Sequence, residues 1–84
     1  MSKDWNAARR ELKEALQKQQ AELDHHKKAL EVFQNVVFDS HTPDVVANIA
    51  ERAIATETRK IRSLERNIRD IQRDLKTKYS LAVA

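Results

Sequence analysis

The sequence predicts an all-α fold: a two-helix antiparallel hairpin of coiled-coil character that completes its core by dimerising into a four-helix bundle. Three observations carry that expectation. Apolar residues recur at alternating spacings of three and four through two long stretches, the only cluster of turn formers separates those stretches, and glycine is absent. A chain of 84 residues with 35% charged and 40% hydrophobic side chains makes one domain, residues 1–84. It divides into helix 1 over about 3–38, a turn at 39–42 and helix 2 over about 43–79.

Helix 1 follows from a heptad whose d positions are Trp5, Leu12, Gln19, His26 and Phe33 and whose a positions are Arg9, Leu16, Leu23, Leu30 and Val37. That spacing gathers the apolar members into one stripe. The turn follows from Asp39-Ser40-His41-Thr42-Pro43-Asp44, where Thr42 is expected as N-cap, Pro43 as first helical residue and Asp44 as the acid that complements the helix dipole. Helix 2 carries the cleaner seam, with a at Ala47, Ile54, Ile61, Ile68 and Leu75 and d at Ala50, Glu57, Leu64, Ile71 and Lys78.

A connection this short favours antiparallel neighbours. Folding about residue 40 pairs positions whose numbers add to about 80: Leu16 with Leu64, Leu12 with Ile68, Trp5 with Leu75. The same fold gathers Gln19, His26 and Glu57 into a polar seam layer, His26 and Glu57 within a turn of each other. Such a layer fixes register at some cost in stability, and the functional alternative makes His26 a pH-sensitive switch or a ligand.

Near the turn the apolar surface is wider than one seam needs. Val32, Phe33, Val36, Val37 and Phe38 face Val45, Val46, Ile49, Ala50, Ala53 and Ile54. Two helices alone cannot bury all of it, and an exposed patch of this kind marks an interface. Phe33, Val36, Phe38, Val45, Val46, Ile49 and Ala53 are therefore the expected protein-contact residues, with Val36, Phe38, Val46 and Ile49 as the anchor. A second copy of the chain is the simplest occupant, and a groove on a larger protein is the competitor.

Charge is distributed unevenly: residues 1–18 carry five basic and three acidic side chains, 19–58 three and seven, and 59–84 eight and three. The segments are thus +2, −4 and +5, in agreement with the total of +3, and the hairpin is basic at its open end and acidic toward its turn. Arg59, Arg62, Arg66, Arg69, Arg73 and Lys76 recur at spacings of three and four opposite the seam. Rising 1.5 Å per residue, they form a stripe of roughly 25 Å, enough to follow several phosphates of a duplex. Such positions are also the wettest of any hairpin, and Glu65, Asp70 and Asp74 stand near enough to pair with some of them. Trp5 and Tyr79 alone could stack on bases, and both fall where packing would use them.

The absence of cysteine excludes disulfides, thiolate zinc sites and thiol nucleophiles, and the absence of glycine excludes Walker loops and dinucleotide fingerprints. Glu22 and His26 share a helical face, but no second copy of the pair completes a di-metal site. Ser40 and His41 lie in a turn with no third group to position them. No catalytic residue, cofactor, metal or small-molecule substrate is expected.

The longest uncharged stretch in the body of the chain, Val32 to Phe38, is far shorter than the roughly 20 residues of a membrane span. The first residues carry an acid and no apolar run, unlike a secretory signal, so the cytoplasm, a host's if the protein is viral, is the expected location. The expected function is that of a small dimeric regulator or assembly factor binding a larger protein. Phage and plasmid accessory proteins offer an analogy of size and fold. Contact with nucleic acid through the Arg59 to Lys76 stripe is the alternative.

Overall fold

The computed structural model describes residues 2–79. Among them the chain is all-helical: α1 spans Ser2–Phe38, α2 spans Asp44–Asp74, and a π-helical turn, Leu75–Tyr79, extends α2. The two helices run antiparallel in a rod of 61 × 16 × 15 Å, close to the ~55 Å that 37 α-helical residues span. No described helix is long and apolar enough to cross a membrane.

The turn is built without glycine and without any positive φ among the described residues. Asp39 does most of that work. Its N–H continues the α1 ladder to the Asn35 carbonyl at 3.1 Å, and its own carbonyl accepts the Thr42 N–H at 3.1 Å. Its side-chain Oδ1 accepts the His41 N–H at 2.9 Å, an Asx-turn that replaces the left-handed glycine with which helices often end.

Pro43 then sets where α2 starts. Its ring keeps Thr42 out of the α region, and Pro43 itself is extended at φ −59° and ψ 147°. Pro43 therefore occupies the N-cap position, its carbonyl accepting the Ala47 N–H at 3.0 Å, and no side chain caps the helix. The expected Thr42 cap is not formed. Asp44, the first helical residue, is left to complement the dipole.

The seam between the helices is thin. Among the described residues Ala50, Ile61, Leu64 and Ile68 are the buried hydrophobic ones, all of them on α2. The seam residues of α1, from Trp5 through Leu12, Leu16, Leu23 and Leu30 to Phe33, are half-buried.

The register differs from a fold about residue 40. His26 pairs with Glu57 and Trp5 with Tyr79, so facing residues add to 83 or 84, about one helical turn beyond the expected offset. Trp5 accordingly packs on Tyr79, one turn beyond Leu75. The cause lies in the turn: α1 runs to Phe38 and α2 waits for Asp44, which moves the fold axis past residue 40.

The π turn corrects the far end of the seam. A strict heptad brings Lys78 to the core, yet Lys78 is exposed and Tyr79 is half-buried. A π turn closes its hydrogen bonds one residue later than an α turn, so the tyrosine takes the slot the heptad gives to the lysine. The Thr77 hydroxyl donates to the Arg73 carbonyl at 2.7 Å, occupying the acceptor that an α turn would give to the Thr77 N–H. Residues 80–84 lie outside the described residues.

Candidate functional site

Four features of the rod lie outside ordinary seam packing: an apolar turn half, a polar layer, a basic ridge and an aromatic clasp.

At the turn half, Val32, Phe38, Val45, Val46 and Ile49 are the exposed large hydrophobic residues; Phe38 is 81% accessible and Ile49 62%. Of the other expected contact residues, Phe33, Val36 and Ala53 are half-buried beside them. Val32 belongs with this set by exposure. It stands four residues before Val36, one helical turn away on the same side.

These residues do not all share one side of the hairpin. Two open clefts mark the two flanks of the seam. One is lined by Glu22, His26, Lys60, Ser63 and Leu64, the other by Leu23, Glu65, Ile68 and Arg69. Seven residues on a helix return to within ~20° of the same direction. Heptad steps therefore carry the first flank from Glu22 through Ala29 to Val36 on α1, and from Lys60 through Ala53 to Val46 on α2, with Ile49 one turn from Ala53. The second flank runs from Glu65 back through Thr58 to Glu51 and Asp44. Phe38 stands two residues beyond Val36, about 200° around α1, and so leaves from the other side. The turn half thus has an apolar flank formed by Val32, Val36, Val46, Ile49 and Ala53, and an acidic flank.

The polar layer is real contact on one side and frustration on the other. The His26 ring nitrogen Nδ1 donates to Glu57 Oε2 at 2.5 Å, both side chains largely covered. His25 lies edge-on to His26 with centroids 5.5 Å apart. Gln19, the third expected member, is not drawn in: its Oε1 is buried with no hydrogen-bond partner among the described residues.

All six residues of the basic ridge, Arg59, Arg62, Arg66, Arg69, Arg73 and Lys76, are exposed. Arg59, Arg66 and Arg73 form one heptad row; Arg62 and Arg69 form a second, on the flank that carries Glu65. Arg73 pairs with Asp70 at 3.5 Å, and Arg59 Nε donates to the Ala55 carbonyl at 3.4 Å. Both contacts are solvated and hold their guanidinium groups loosely.

At the open end Trp5 and Tyr79 pack with ring centroids 5.3 Å apart at 46°, and the Arg9 guanidinium lies 5.9 Å from the Trp5 centroid. Both rings are thereby engaged, which removes them as free platforms for bases. Sequence reasoning placed the two rings at this end but missed their pairing. The signal was a tyrosine one residue beyond a lysine at a seam position.

Among the described residues no group of three or more His, Cys, Asp or Glu is arranged to hold a metal ion. Ser40 Oγ and His41 Nδ1 are 3.5 Å apart on the exposed turn, where Asp39 engages the His41 backbone N–H. No family model, curated protein or solved structure matches the chain.

Proposed function

We propose that this chain is a non-catalytic protein-interaction module, a small helical regulator or assembly factor that works as a homodimer and binds a larger protein. The observation that carries this reading is the exposed apolar turn half. Val32, Phe38, Val45, Val46 and Ile49 crowd one end of a hairpin whose buried core, among the described residues, is Ala50, Ile61, Leu64 and Ile68. A chain that spends its largest apolar residues outside its core uses them against another surface. Phe38, on the flank away from Val36 and beside the acidic turn, is the anchor for the larger protein, with Asp39 and Asp44 near it to favour a basic rim on that partner.

The test is affinity capture from the native host's lysate with and without nuclease, using the full chain and Phe38→Asp. A nuclease-resistant protein retained by the wild type and lost by the variant supports the reading. Equal capture by both, or none, overturns it.

The exposed double row of the basic ridge supports a second reading, backbone contact with nucleic acid. That reading requires duplex binding whose logarithm falls linearly with log salt, and which collapses on Arg66→Glu combined with Arg69→Glu. Absence of binding at low salt removes it.

A further inference from the structure

A compact monomer of 9.8 kDa exposes about 5,200 Å² and has a radius of gyration near 12 Å. This chain exposes 6665 Å² and has a radius of gyration of 18.5 Å. The excess, about 1,500 Å², is well above the ~800 Å² that each partner contributes to a standard stable interface. The thin seam and the rod shape together describe half of a larger core.

The chemistry of the apolar flank says what completes it. Val32, Val36, Val46, Ile49 and Ala53 are small or β-branched residues at heptad and one-turn spacings on both helices, the surface against which other helices pack. From Ala29 to Ala50 the chain has no lysine or arginine, and its carboxylates there are Glu31, Asp39 and Asp44. Asp44, with Glu51 one residue beyond, extends the heptad row of Glu65 on the opposite flank. Glu31 stands five residues before Val36, about 140° away around α1, and so also leaves the apolar flank. A second copy brings the same charges, and on this flank it would meet none of these carboxylates; Arg52, three residues after Ile49 and about 60° further from the seam, stands at the outer edge of the flank. A partner chosen by charge would instead favour the acidic flank.

We infer that a second copy of this chain covers the Val32, Val36, Val46, Ile49 and Ala53 flank, so that two hairpins pack about a two-fold axis as a four-helix bundle. The inference rests on the interaction-module reading and names its first partner. The contact is isologous: each hairpin offers the same self-complementary face, and the assembly closes at two copies. Ile49 lies at the centre, level with the span between Val32 and Val36 in the observed register. Phe38 and the exposed Arg59, Arg66 and Arg73 row stay outside this contact.

Sedimentation equilibrium of the full chain at micromolar concentration tests this. The expected mass is twice 9.8 kDa. Ile49→Glu and Ala53→Glu should each weaken the dimer by about 100-fold or more, since each buries an unpaired carboxylate twice. Phe38→Asp should leave the mass unchanged. If the flank variants lose helical circular dichroism along with mass, Ile49→Glu chains are mixed with Ile49→Lys chains; helix and double mass should return in the mixture alone. A single-chain mass for the wild type overturns the inference, as does a dimer that survives both flank variants or is lost in Phe38→Asp. A monomer that still captures a protein through Phe38 removes the second copy, and with it the homodimer, and leaves the binding of a larger protein standing. A dimer that captures nothing does the reverse.

Discussion

His26 of α1 and Glu57 of α2, 31 residues apart in sequence, meet at 2.5 Å in the middle of the hairpin. Each is the other's polar partner across the seam, and a largely covered polar group that loses its partner pays the cost of desolvation without return. His26→Leu and Glu57→Leu should each destabilise by about 1–2 kcal/mol, while the double variant should be more stable than the sum predicts by about 1 kcal/mol. Denaturant unfolding of all four proteins at one fixed chain concentration checks the cycle. Strict additivity would show that the contact carries no energy.

Gln19 is the opposite case. Its Oε1 is buried and has no partner among the described residues, so an apolar side chain of similar size should fit the site better. Gln19→Leu should stabilise by about 1 kcal/mol and raise the melting temperature by several degrees. A lower melting temperature would mean that the glutamine fixes register, as buried polar seam residues do in coiled coils.

The aromatic clasp can be read optically, because Trp5 is the only tryptophan. Tyr79→Ala removes the ring packed 5.3 Å from it and should shift its emission to longer wavelength as water enters. The pair should be worth about 0.5–1.5 kcal/mol beyond the area it covers. Unchanged emission would place the clasp outside the stability of the open end.

Asp39 should be the most sensitive position in the turn. Asp39→Ala deletes the acceptor for the His41 N–H and should cost about 0.5–1.5 kcal/mol, whereas Asp39→Asn keeps an oxygen in place and should cost little. Thr42→Ala should be close to silent, because Thr42 caps nothing. Thermal unfolding of the three variants separates the two assignments. A large loss in Thr42→Ala with none in Asp39→Ala would reverse them.

The helices were legible because heptad spacing is an intrahelical property: Leu12, Leu16 and Leu23, or Ile54, Ile61 and Ile68, need no partner to declare a common face. The offset between helices was not, because it depends on where the turn spends its residues. Thr42 looked like a cap by type, yet the proline after it moved the helix start and gave the capping position to a residue with no side-chain acceptor. The nearness of His26 to Glu57 was foreseen because a shift of one turn still leaves both in the same layer. The ring pair of Trp5 with Tyr79, one turn beyond Leu75, was not foreseen, since the rings sit at the end of the lever. The excess width of the turn half was visible as composition. Its division into two flanks needed the clefts that mark which side each heptad row occupies.

The π turn at Leu75–Tyr79 sets a tolerance on chain length. Holding one residue more than an α turn, it absorbs a mismatch between counting and contact at the point where the rings must meet. Removing Lys78 would return that turn to α geometry and still deliver the tyrosine to Trp5, since the ring would then occupy the heptad slot directly. Removing one residue between Ile61 and Ile68 has no such buffer, and every seam residue beyond it would rotate off the face by about 100°. The clasp, not the residue count, fixes the register of the open end.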